Sequence, residues 1–474
     1  MKKLSLRALL LPAIFLAGAL LGTQALACAQ ASQRPSPQEA KNQALAAVRQ
    51  GYALLQQTNL AGAEASFRSA LVLDPKLAEA CHGLGLTLWR EGKQNDALRD
   101  LTRATQLDPS NPSFHLDVAR AAWHMADNSQ SSDIPRNVDS KITADSYRQL
   151  AIAEMQKALS LQPRDAQTHL SLAELYLELN QPKDAFAQAQ TAAQLDPGDA
   201  SAFVILGRAD QEQGNDVAAT GEYEKAIQLN PHDGESYLAI GELRLQQRDT
   251  LRAVEAFRSA IEASPGLALA YAALGQLLQQ THQAAEARGI LEHAIALDPR
   301  DWQSTYELGK IMVQAGKAQE ATTLFQKALQ LHASFPAARE QLALQMLRRG
   351  DLTGAAAQAE AISVRNPQAP GGHRIMALVL WKQRNYDASL AECAMALQGD
   401  PMSLEMLAVQ AIDLWQEGQR RESRLVLASA GKKQPDIVSV PIFCRLVVCD
   451  ARDIDIINDF LRRNRWVVAP PPEP

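Results

Sequence analysis

Ten prolines in this chain fall on a 34-residue ruler. Pro75 and Pro109 stand one step apart; Pro163, Pro197, Pro231, Pro265 and Pro299 keep the same step, as do Pro367, Pro401 and Pro435. The gap from 299 to 367 is two steps, and that from 109 to 163 is one step plus twenty residues. A period this strict implies a stack of like supersecondary modules. Each module touches only its neighbours, so such a chain lengthens without one large core, and its 474 residues need not divide into ordinary globular domains.

Setting each periodic proline at place 32 divides residues 44–437 into eleven units that begin at 44, 78, 112, 166, 200, 234, 268, 302, 336, 370 and 404, with the extra residues in the third. Place 8 is then Gly or Ala throughout (Gly51, Gly85, Gly207, Gly241, Gly275 and Gly309 among them). Place 20 is Ala until Ser389 and Ser423, and place 27 is Ala except for Ile362. Two antiparallel helices approach closely only where side chains are small, so place 8 of a first helix is expected to face place 20 of a second. Phe67, Tyr223, Phe257 and Phe325 at place 24 fill around that contact at helical spacing. Gly92, Gly214, Gly316, Gly350 and Gly418 supply the turn between helices, and Asp-Pro or Asn-Pro closes most units because the residue before proline leaves the helical region.

Over residues 44–437 this pattern resembles the tetratricopeptide repeat family, although the eighth unit has Ala333 where the closing proline belongs. The resemblance implies an all-α fold: an α-solenoid, a right-handed superhelix of about eleven helix hairpins whose first helices line a concave groove, with a C-terminal capping segment. Two segments depart from the period. The insertion at about 127–143 is polar and Ser/Asn/Pro-bearing and reads as a surface loop, either a tolerated insertion or a partner contact. Residues 438–474 read as a cap with a helical pattern over Asp453–Asn464, since a solenoid end must hide its last apolar face, followed by a disordered Pro471–Pro474 tail.

The N-terminus has its own logic. Lys2, Lys3 and Arg7 precede the apolar run Ala8–Leu21, and Ala25-Leu26-Ala27 follows, so residues 1–27 read as a secretory signal peptide and 28–43 as a linker or tether. Cys28 directly after that box leaves two outcomes open: cleavage and release, or lipidation of Cys28 as in bacterial lipoproteins. The expected location is beyond the inner membrane, in the periplasm or attached to the outer membrane. No later segment is apolar enough to span a membrane. Cys81 and Cys393 fall at core places, whereas Cys444 and Cys449 are near enough in sequence for a disulfide in an oxidising compartment. A formal charge of −6 argues against nucleic acid as a partner.

In the family, ligand contacts come from places 2, 5, 9, 12 and 13 of each first helix, one stripe of a helix. Trp89, Trp123, Trp381 and Trp415 all fall at place 12, in two pairs. His82, Leu86, Arg90, Arg120 and His124 surround the first pair; Arg374 and Lys382 accompany the second. Trp and Arg dominate binding hot spots, so these are the candidate partner-binding residues; the other reading has the indoles packing against the next repeat. Between the pairs the stripe is acidic and amide-rich, with Glu174, Glu178, Gln211, Glu212 and Glu242. His115, His169 and His373 share place 4, a packing site, and read as structural. No nucleophile elbow, phosphate loop, zinc-protease helix or dinucleotide fingerprint occurs, and neither does Cys/His spacing for a metal. The expectation is therefore no enzyme, no cofactor and no metal: a scaffold for protein–protein interaction and complex assembly in the bacterial cell envelope, with a protein or peptide partner. The alternative is a periplasmic factor associated with export of an exopolysaccharide such as cellulose, its tryptophans stacking on glycan.

Overall fold

Place 15 of every unit but the third, whose helix runs on past it, is where the chain reverses, and it is held in the left-handed region. Gly92 (φ 80°) and Gly214 (φ 78°) adopt it without a Cβ penalty, but Thr58, Asn180, Arg248, His282 and Arg384 adopt it at the same place in other units. Around Gly92 the N–H groups of Gly92 and Lys93 donate to the carbonyls of Trp89 and Leu88 at 3.0 and 2.9 Å, the paired bonds of a Schellman turn. Sequence alone located only the glycine versions.

The structure, a computed structural model, describes residues 36–130 and 138–464. The leader at 1–27, Cys28 and the Pro471–Pro474 tail lie outside the described residues. Among the described residues there are helices and no strands. The chain divides into two compact units, one ending at Asn230 and one beginning at Pro231.

The first unit is a run of helix pairs: α1 (Pro37–Gln56) with α2 (Leu60–Leu73), α3 (Ala78–Arg90) with α4 (Gln94–Leu107), and α5 (Pro112–Gln130) with α6 (Val138–Leu161). α7 (Ala166–Glu178) with α8 (Pro182–Leu195) and α9 (Ala200–Glu212) with α10 (Asp216–Leu229) complete it. Each helix packs on its partner and on the next pair. Two sequence expectations change here. α1 begins at Pro37, capped by the reciprocal Ser36–Glu39 bonds, so residues 37–43 are helix rather than tether. The 127–143 insertion is also mostly helical: α5 runs on to Gln130 and α6 begins at Val138, lengthening one hairpin. Buried Met125, Ala126 and Ala144 show why, since the added turns continue the apolar face of the pair.

The second unit repeats the arrangement. Its pairs are α11 (Gly234–Gln246) with α12 (Thr250–Ala263), α13 (Ala268–Gln280) with α14 (Ala284–Leu297), and α15 (Trp302–Gln314) with α16 (Ala318–Leu331). α17 (Pro336–Arg348) with α18 (Leu352–Ser363), α19 (Pro370–Lys382) with α20 (Tyr386–Gly399), and α21 (Leu404–Gln416) with α22 (Arg420–Lys433) follow. A 3-10 turn at Pro435–Val438, α23 (Val440–Leu446) and α24 (Ile454–Asn464) then close the end, and a Cys444–Cys449 disulfide joins the end of α23 to the turn that follows it.

The small-residue contact carries more than the sequence suggested. A Cβ placed on Gly241 would stand 2.4 Å from the Phe257 ring, and one on Gly309 would stand 2.6 Å from Phe325. Place 8 is thus empty to admit the ring at place 24. Place 20 meets the backbone of place 8, because the buried Ser389 and Ser423 hydroxyls donate to the carbonyls of Ala377 (3.0 Å) and Ala411 (2.6 Å). Ala to Ser at a core place therefore leaves no unpaired hydroxyl.

Candidate functional site

The first aromatic–basic group assembles into one place, in the first unit. Residues at the C-terminal half of α3 and the middle of α5 face each other across α4 and enclose a cavity of about 270 Å³. Leu101 of α4 and Ala121 of α5 lie deepest, 1% and 4% exposed, with Leu86 half-buried above them. Trp89 and His124 stand over the cavity as an edge-to-face pair, 5.5 Å between ring centres. Arg120 and Asp117 complete it, joined by a 3.0 Å ion pair.

A polar chain fixes this rim. Tyr52 Oη donates to the Glu79 carbonyl (3.1 Å) and lies 2.9 Å from His82 Nδ1. His82 Nε2 bonds Asp117 Oδ2 at 2.8 Å, and Asp117 Oδ1 accepts from Arg120. Burial pushes the Tyr52 hydroxyl well above its ordinary range, so it stays protonated as a hydrogen-bonding group. His82, predicted as an exposed contact, is instead buried behind Arg120 and stacked on Phe114 at 4.6 Å. Arg90 is exposed and reaches back to the Leu55 carbonyl at 3.0 Å. Trp123 turns away from the cavity: its indole N–H donates to both Glu178 oxygens (3.1 and 3.2 Å), which Arg148 also meets at 3.3 Å. It packs between repeats, as the second reading of place 12 required.

The second group does not form a surface. Trp381 is 0% exposed and Trp415 nearly buried, both in the apolar cluster completed by Phe443, Val447 and Phe460 of the C-terminal segment. Lys382 Nζ is tied to Asp453 (2.6 Å) and Asp450 (3.2 Å), and Arg384 meets the other oxygen of Asp453 at 2.7 Å. Arg374 is held between Glu340 (2.6 Å) and Glu405 (2.7 Å). These four predicted contacts, Arg374, Trp381, Lys382 and Trp415, are therefore structural: the cap covers the face that a ligand would need. Aliphatic Leu378 and Ile412 at place 9, both fully buried, were the available sign.

In the acidic stretch, burial raises the carboxyls of Glu174 and Glu242 above their usual range. The place-4 histidines are staples. His169 Nε2 and His373 Nε2 lie 3.2 and 2.8 Å from the carbonyls of Pro163 and Pro367, while Nδ1 meets Gln188 (2.7 Å) and Glu392 (2.6 Å). His115 does the same with Pro109 and Glu154. Where the eighth unit lacks proline, Arg339 at place 4 takes over, donating to the Ala333 carbonyl (2.9 Å) and to Gln358 (3.0 Å). Trp302 stacks on His332 at 4.5 Å and meets Phe335 at 4.6 Å, packing the same turn. Sequence reasoning missed this cluster because its members do not share a periodic place.

No group of three or more metal-ligating side chains occurs among the described residues, and none of their helices is long and apolar enough to cross a membrane. Two family models, both described as Tetratricopeptide repeat, match residues 161–334 and residues 82–125 with 341–403. No curated protein sequence matches. Among solved structures, MamA is 25% identical over 35% of this chain and 97% of its own (TM-score 0.30). YrrB, described as a TPR protein with an unusual peptide-binding site, is 20% identical over 39% and 95% (TM-score 0.32). PilF of Pseudomonas aeruginosa is 17% identical over 45% and 99% (TM-score 0.42).

Proposed function

The chain belongs to the tetratricopeptide repeat family, and from that premise we propose that it is a non-enzymatic scaffold of the bacterial cell envelope, gripping a protein partner at the α3–α5 face. Members of this family generally mediate protein–protein interaction and complex assembly. The observation that carries the reading is the shared cavity of Leu86, Trp89, Arg120 and His124: an aromatic and a guanidinium group beside an apolar hollow, the composition of a binding hot spot. The leader-like sequence at Lys2–Ala27 supports the envelope location, and the Cys444–Cys449 disulfide suits an oxidising compartment.

The test is crosslinked capture from envelope extract with the full chain and a Trp89→Ala/Arg120→Ala variant of unchanged melting temperature. A defined protein recovered by the wild type and depleted about tenfold, near 1.4 kcal/mol, with the variant is the expected result. Recovery of glycan in place of protein would favour the export-associated alternative, and recovery of neither would end the scaffold reading. Cell fractionation and palmitate labelling of Cys28 address location separately.

A further inference from the structure

We propose that the α3–α5 cavity is a socket for a single large apolar side chain of a partner protein, Leu or Phe in size, with a neighbouring carboxylate held at its rim. The proposal rests on the scaffold reading and gives its partner a chemistry. Its volume of about 270 Å³ falls just below the span of drug-sized ligand sites, about 300–1,000 Å³, so one side chain fits it better than a whole small molecule. The depth is aliphatic, from Leu86, Leu101 and Ala121, and contains no polar side chain to satisfy.

The rim is rich in donors. Arg120 keeps 72% of its side chain exposed and spends one nitrogen on Asp117. The Trp89 indole N–H has no partner among the described residues. His124 Nδ1 accepts from Asn128 Nδ2 at 3.1 Å, which leaves the ring proton on Nε2 as a further donor. The one carboxylate among the described lining residues, Asp117, has one oxygen on His82 and the other on Arg120. An incoming carboxylate therefore finds ring N–H groups and a guanidinium that is mostly exposed and has engaged one nitrogen with Asp117. A sugar fits poorly: its hydroxyls need acceptors as well as donors, and the one carboxylate among the described lining residues, Asp117, is already engaged. Asn128 lies in the added turns of α5, so the insertion helps build the rim by orienting His124.

The test uses the full chain and fluorescein-labelled, end-blocked heptapeptides with a central Phe-Glu, Phe-Gln or Ala-Glu pair, read by anisotropy. Phe-Glu is expected to bind, with Phe-Gln and Ala-Glu each about tenfold weaker. Arg120→Gln should bring Phe-Glu down to the Phe-Gln level while leaving Phe-Gln itself unchanged, a selectivity shift that a merely unfolded rim would not give. Ala121→Leu, which fills the cavity from an aliphatic position, should remove the preference for Phe over Ala. Equal binding of Phe-Glu and Phe-Gln overturns the proposal. So does an absence of saturation below about 1 mM, or stronger competition from an oligouronate than from peptide. The two readings fail differently: if envelope capture recovers the same protein with wild type and with the Arg120→Gln/Ala121→Leu variant, the scaffold stands and the socket falls.

Discussion

Asp413 is the residue most at odds with its surroundings. It is fully buried on α21, and neither carboxyl oxygen has a partner among the described residues. Burial pushes the carboxyl up to about 8, and the Ser389 hydroxyl gives it no relief because it donates to the Ala377 carbonyl. Between the ordinary aspartate value of 3.8 and about 8, the folded chain binds a proton that the unfolded chain has released. Stability from this site is therefore complete below the lower value and falls as pH rises through the window, by at most about 1.4 kcal/mol per pH unit. Denaturant melts of the wild type between pH 5 and 8 should show the decline, and Asp413→Asn should flatten it and exceed the wild type by about 2 kcal/mol at pH 8. A wild-type curve already flat over that range would refute the assignment. Arg248, by contrast, carries a backbone mismatch, since its φ of 62° costs a side-chain-bearing residue about 1–2 kcal/mol. Arg248→Gly should raise stability by about 0.5–1 kcal/mol, the strain relieved minus the entropy glycine adds to the unfolded chain. A lower midpoint in urea would show that the Arg248 side chain matters more than its backbone.

At the level of elements, the cap is fastened by charge as well as by apolar packing. Asp453, 2% exposed at its side chain, bridges Lys382 and Arg384 of the penultimate hairpin. Asp453→Asn would leave buried Lys382 with Asp450 as its one carboxylate and take from Arg384 the carboxylate it meets, a loss on the order of 3 kcal/mol in the second unit. Hydrogen exchange should show α23 and α24 losing protection first; unchanged exchange there would mean that the apolar contacts of Phe443 and Phe460 suffice. The cap is also where sequence reasoning was weakest. Place 12 was readable as a surface stripe only if nothing else covered it, and the covering helices lie beyond the last periodic proline. The helix pairs, by contrast, were legible because Gly at place 8 and the ring at place 24 belong to the same hairpin. The first candidate group was legible in part: Leu86, Trp89, Arg120 and His124 share a stripe and Tyr52 stands at the same place as Leu86 and Arg120, while Asp117, which holds Arg120, lies off it at place 6.

For the molecule as a whole, stability is a sum over neighbours. The disulfide shows the consequence, because it closes a loop of only five residues' separation and so constrains the unfolded chain modestly, by about 2 kcal/mol on the chain-entropy relation. Reductant is expected to loosen the segment around Cys444 and Cys449 and to leave the unit ending at Asn230 unchanged by hydrogen exchange. Protection lost evenly throughout would contradict nearest-neighbour coupling. The place-4 staples extend the same logic to heredity. His169, His373 and Arg339 each fasten a hairpin to the closing turn of the one before, and the fastening groups recur at one spacing. A gene that loses the codons for 268–301 therefore rejoins surfaces of matching shape, whereas one codon more or fewer inside a helix turns the rest of that helix by about 100° out of phase with its partner. Lineages carrying this chain can change its length in whole steps, or by lengthening both helices of one hairpin as the third unit has done.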